Sequence, residues 1–180
     1  MISVADAQAR VLADVVELPP EHVGLADAAG RVLAEDISAR VTNPPCDMSA
    51  MDGYAVRAAD FASGRKTFTV TGTSAAGAGF AGVVGAGKAV RIFTGAPVPQ
   101  GADSVVIQEN VARNGDTIVV ASGVEVTPGR HVRPAGLDFR KGDVLLKRGM
   151  RLNARSLALA ASMNHSALPC VRQPRIAILA

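Results

Sequence analysis

The chain has 180 residues and a mass of 18.4 kDa, enough for one ordinary domain or two small ones but not for a large multidomain enzyme. Apolar residues make up 48% and aromatics only 3%, with no Trp, so a core must be built from Val, Leu, Ile and Ala. The excess of 19 basic over 16 acidic residues is scattered, which argues against nucleic acid as a partner. No apolar run is long enough for a membrane span, and the N-terminus lacks the order of a signal peptide, so a cytoplasmic location is expected. Cys46 and Cys170 belong to no CxxC or Cys/His cluster, which argues against a disulfide framework or a closed zinc site.

Ser3 followed by Asp6 has the capping-box pattern. Val4, Val11, Leu12, Val15 and Val16 then recur at helical spacing, predicting a helix from about Val4 to Glu17 that Pro19 and Pro20 stop. Asp27 is expected to cap a short second helix through Arg31 and Leu33, followed by an extended stretch near Ile37–Val41.

From about Lys66 the texture changes to short β-rich runs: FTVTG, AVRIFTG, SVVIQE and TIVVAS. Asn114-Gly115 offers the two positive-φ residues of a type I′ turn, so Val105–Ala112 and Thr117–Val120 are expected to form a hairpin. The Gly/Ala-rich run from Thr73 to Ala89 lacks the spacing of a phosphate-binding glycine loop and reads as a flexible connection.

A short strand at Val144–Leu146 follows, then a helix over Ala154–Met163 capped by Asn153. A terminal buried strand is expected in PRIAILA. The simplest architecture is an elongated, discontinuous α+β domain of residues 1–45 and 140–172, with a β-rich domain of residues 46–139 inserted. Residues 173–180 would form the first strand of a third domain beyond the truncation.

Three segments have the residue types for chemistry. In PPCDMSAMDGYAVR, Asp47, Ser49 and Asp52 can converge on a hard cation, although Asx-turn capping explains the same residues. In RIFTGAPVPQGAD, Thr94 beside Gly95 can contact an oxyanion or phosphate, while Pro97 and Pro99 stiffen the loop; a rigid turn at a strand end is the alternative. In GRHVRPAGLDFRKGD, Asp138 lies among Arg130, Arg133, Arg140 and Lys141, a mixture that suits an anion near a metal and equally a solvated surface with Asp138 paired to Arg140 or Lys141. His22, His131 and His165 have no second ligand or nucleophile at useful spacing and read as structural or surface residues.

In this order SAMDGYAVR, IFTGAPVPQGAD and VRPAGLDFRKGD closely resemble the molybdopterin molybdenumtransferases, the bacterial MoeA and gephyrin E-domain family. GRVLAEDI and PRIAILA share the resemblance, which then covers domains I and II of that family. It implies a Mg²⁺-assisted transferase of molybdenum cofactor biosynthesis. Adenylylated molybdopterin and molybdate bind in a cleft, AMP is released, and molybdenum passes to the dithiolene sulfurs.

Carried over by residue, Asp52 and Asp138 match the acids near metal and phosphate, Thr94 with Gly95 matches the substrate-binding TGA loop, and Ser49 is a further substrate-binding candidate. The resemblance also implies a homodimer with a shared cleft and a molybdopterin adenylyltransferase as upstream partner, and leaves a fragment such as this one inactive without the third domain. A non-catalytic scaffold module of the same family is the alternative. Cys46 and Met48 stand where the family commonly has Phe and Asn; Cys46 is expected to be a small buried hydrophobe replacing the Phe.

Overall fold

The structure, a computed structural model, describes residues 2–179. The chain divides into two compact units, one formed by the chain up to Val41 together with the chain from Lys141 on, the other by Thr42–Arg140. No helix of the described residues is long and apolar enough to cross a membrane.

The first unit opens with helix α1 (Val4–Leu12), whose N-cap Ser3 accepts the Asp6 N–H at 3.1 Å. The helix stops at Leu12, five residues short of the expected end. None of its residues is buried, so no packing compensates for Asp14 and the β-branched Val15 and Val16, which are poor helix formers.

Strand β1 (Pro20–Gly24), not foreseen, pairs antiparallel with the last strand of the chain. The expected second helix is only a 3₁₀ turn at Leu25–Asp27. Gly30, at φ +76°, lies in the separate turn that follows, and Val32 and Leu33 are drawn into β-bridges with Arg151 and Cys170. The extended stretch is present as β2 (Ile37–Ser38).

In the second unit β3 (Met48–Ser49) and β4 (Gly53–Val56) precede a single turn, α2 (Ala59–Ala62), and the strands β5 (Thr67–Ser74), β6 (Lys88–Ile92), β7 (Ser104–Ile107), β8 (Val111–Asn114), β9 (Thr117–Val120) and β10 (Val132–Arg133). Six of them form one sheet in the order β7-β4-β6-β5-β9-β8, in which only β5 and β6 run parallel. Both faces of its central strands are covered. Tyr54, Val56, Phe68, Ala89, Val106, Ile118 and Val120 pack on one side, and Ala55, Val84, Val90, Ile92, Ala96 and Val105 on the other. This two-sided burial is why GYAV, KAVRI and SVVI read as near-continuous apolar runs instead of alternating ones.

The expected hairpin is present with its turn displaced by one residue. Asn114 pairs with Thr117 as the last residue of β8, so the two-residue loop is Gly115-Asp116, and of Asn114 and Gly115 only Gly115 has positive φ. Val105–Ile107 belongs instead to β7, beside β4 at the opposite edge of the sheet. The Gly/Ala-rich connection is anchored and not free. Val84 is fully buried, Ser74 donates to the Pro97 carbonyl at 2.7 Å, and the Phe80 ring fills the space beside Gly72 and Gly82.

Back in the first unit, β11 (Val144–Leu146) pairs with β2. Asn153 caps α3 (Ala154–Ser162) by accepting from the Ser156 N–H at 3.0 Å, and β12 (Ala167–Val171) closes on β1. His165 is buried with its Nε2 2.8 Å from the Ser38 carbonyl, a structural role. Residues 175–179, expected to begin a third domain, carry no strand here, and Ile176, Ile178 and Leu179 are 81%, 89% and 97% exposed. A buried-strand pattern needs a sheet to enter, and among the described residues none is offered. Ala180 lies outside the described residues.

Candidate active site

The three chemically suggestive segments meet within the second unit, and backbone hydrogen bonds bring them together. Strand β3 lies between β10 on one side, with Val132 opposite Ser49 and Arg133 opposite Met48, and the proline-rich loop on the other, through a bridge from Met48 to Pro97. The Ser49 N–H donates to the Ala96 carbonyl, Gly95 N–H to the Ser49 carbonyl and Val98 N–H to the Asp47 carbonyl, each at 2.9 Å. Bends at residues 44–46 and 50–52 set the two-residue β3 apart, with both of its edges paired.

Asp52 and Thr94 form the centre of this arrangement. One carboxylate oxygen of Asp52, Oδ1, accepts both the backbone N–H and the hydroxyl of Thr94, each at 2.7 Å. These two bonds, backbone first, hold the Asp52 carboxyl below its ordinary range against an opposing effect of desolvation, with the positive charge of Arg91 the weakest contribution. Asp52 is therefore an anion throughout the neutral range. The stability its interactions add is present above the ordinary carboxylate range and lost as pH falls through the lowered value. Its second oxygen, Oδ2, carries no hydrogen bond among the described residues.

The Thr94 hydroxyl, expected against a phosphate, spends its proton on Asp52. Gly95 sits at φ +76° with nothing within 4 Å of where a Cβ would be, so its conformation needs glycine and the space beside it is open. Ser49 is 2% exposed and its hydroxyl donates to the Met51 carbonyl at 2.6 Å, which shapes the turn into Asp52. Asp47 Oδ1 accepts the Ala135 N–H at 2.8 Å, drawing the third segment in.

Asp138 pairs with Arg133, whose Nη2 lies 2.9 and 3.1 Å from its two oxygens, and accepts the Asn43 amide at 3.0 Å. Cys46 is exposed, so the expectation of a buried hydrophobe is corrected. Its thiol contacts the Met48 sulfur at 3.6 Å.

The residues 2–164 match the family model described as the MoeA N-terminal region (domain I and II). The chain belongs to the MoeA family. Among MoeA relatives, it is 38% identical over 180 residues to the molybdopterin molybdenumtransferase of Haemophilus influenzae, and 32% identical over 183 residues to that of Staphylococcus epidermidis. It is aligned over 99% of its own length in both cases, but over only 44% and 43% of theirs. The crystal structure of the molybdopterin biosynthesis MoeA protein from Pyrococcus horikoshii superposes with a TM-score of 0.88 at 36% identity, covering 97% of this chain and 47% of that one. The chain thus spans less than half the length of these MoeA relatives, and its mixed helix and strand architecture is theirs.

Arg91, Gln108 and Asn43 surround the site but were not singled out from sequence. Arg91 had a signal, a lone charge inside the apolar run AVRIF; Gln108 and Asn43 had none.

Proposed function

We propose that this chain supplies part of the site at which molybdenum is inserted into adenylylated molybdopterin, with cleavage of the adenylate and release of AMP. The observation that carries the reading is the Asp52–Thr94 pair, a half-exposed carboxylate kept ionised by two donors from a stiff loop whose neighbouring glycine leaves open space. Membership of the MoeA family supports the substrate class, molybdate and the adenylylated pterin. The complete enzyme is proposed to be a cytoplasmic homodimer with a shared cleft, supplied by a molybdopterin adenylyltransferase.

Mg²⁺ fits this donor set in one respect and not in another. Hard cations take one or two carboxylates and complete their shell with water and substrate phosphate, so Asp52 alone, through Oδ2, is a sufficient protein ligand. Both oxygens of Asp138 are already engaged by Arg133 and Asn43, and among the described residues no group of three His, Cys, Asp or Glu side chains is gathered for a metal. Asp138 enters the proposal as the acid that holds Arg133 toward β3, and as a metal ligand only if those bonds open when substrate binds. When bound, the cation would neutralise charge on the phosphate oxygens.

Thr94 tests the reading directly. In the full-length protein Thr94→Ala and Thr94→Val should each slow AMP release on the order of 10-fold, because both lose the hydroxyl that steadies Asp52 while the backbone donor survives. Thr94→Ser should retain most activity. Normal AMP release by the valine variant would remove the hydroxyl from the mechanism.

A further inference from the structure

Arg91 is the penultimate residue of β6, opposite Tyr54 of β4, at the polar end of an otherwise apolar sheet face. Its guanidinium carbon lies 5.2 Å from the centre of the Tyr54 ring and 4.7 Å from that of Phe93, so two aromatic faces hold the cation. From that position Nη1 donates to the Gly53 carbonyl at 2.9 Å and Nη2 to Gln108 Oε1 at 2.6 Å. Gln108 in turn donates its backbone N–H to the Asp52 carbonyl at 3.1 Å, and its Nε2 lies 3.3 Å from Glu109 Oε1, which orients the amide so that its oxygen faces Arg91. The carbonyls of both Asp52 and Gly53 are therefore tied to one network centred on a side chain that does not itself touch the Asp52 carboxylate.

We propose that Arg91 is the positioning residue of the site: its planar fork, clamped between Tyr54 and Phe93, holds the Gly53 carbonyl directly and the Asp52 carbonyl through Gln108, so that the Asp52 carboxylate meets both donors of Thr94. The proposal rests on the reading of Asp52 given above. Lysine cannot replace Arg91, because an ammonium offers a point charge without the rigid fork that reaches two acceptors at once. A position supporting a reactive group in this way commonly contributes 10- to 100-fold to activity, as outer partners of metal ligands do.

The test combines an amide signature with turnover. In the 180-residue chain, the Thr94 amide proton, which donates to Asp52, should lose the downfield NMR shift of a carboxylate-bound N–H and exchange faster with solvent in Arg91→Met than in the wild type, with Arg91→Lys between them. In the full-length protein both variants should lose about 10- to 100-fold in kcat for AMP release with little change in KM. Gln108 is exposed, so Gln108→Met is the variant that keeps the fold if Arg91→Met does not. It should move the Thr94 amide in the same direction and slow AMP release. An unmoved Thr94 amide in folded Arg91→Met or in Gln108→Met overturns the positioning role, even if activity falls. A moved amide together with normal turnover by an Asp52→Asn enzyme would instead discard the Asp52 reading and leave the positioning geometry standing.

Discussion

Gly53→Ala is expected to destabilise the second unit by about 3 kcal/mol or more, the largest stability effect of any single methyl addition in the site. A Cβ built on Gly53 would lie 2.0 Å from the Val106 carbonyl oxygen, 2.9 Å from its carbon and 3.0 Å from the Ile107 Cα. All three are backbone atoms of β7, and β4 is held on its other edge by β6, so neither neighbour can retreat without breaking ladder bonds. The glycine of the MDGY segment is thus a matter of interstrand contact and not of turn geometry. Gly95→Ala provides the contrast. Its Cβ would meet open space, and only the positive φ opposes it, for a cost of about 1–2 kcal/mol. Urea unfolding of the two variants should separate them clearly; equal midpoints would mean that β4 and β7 are not packed as described.

Asp52→Asn should remove most molybdenum insertion and AMP release in the full-length protein, on the order of 100-fold or more, while leaving the unfolding temperature nearly unchanged. The amide oxygen can still accept from the Thr94 N–H and hydroxyl, and no cavity opens at a half-exposed position, so the fold has little reason to respond. What is lost is the negative charge that these donors and Arg91 stabilise. Thermal melts alongside AMP-release assays distinguish the two effects. A variant that is unfolded, or one that turns over normally, would contradict the assignment from opposite sides.

The elements legible in the sequence were those with a local signal. Ser3 and Asn153 cap their helices as side-chain chemistry dictates, and the β-rich runs that become β5, β6, β7 and β9 announce a sheet. Elements set by distant partners were not legible. Strand β1, with the sequence PEHVG, has no strand pattern of its own and exists because β12 pairs with it. Leu33 looked helical by spacing, yet is recruited by Cys170. The PRIAI segment shows the converse, a strong strand pattern without a partner among the described residues.

At the site, the three segments were recognisable by residue type, but their convergence depends on backbone bonds such as Gly95 to Ser49 and Val98 to Asp47, which no spacing rule encodes. For the same reason Thr94 was legible as a polar contact and illegible as the partner of Asp52, 42 residues away.

A double-mutant cycle on single-turnover AMP release tests the central claim, that Asp52 and Thr94 act as one unit. Asp52→Ala and Thr94→Val are made separately and together in the full-length protein, and the rates are compared. If the Thr94 hydroxyl works only through Asp52, adding Thr94→Val to Asp52→Ala should cost almost nothing further, because the acceptor has already gone. Multiplicative losses, with the double variant falling by the full product of the single effects, would show that the two side chains act independently and would contradict the account.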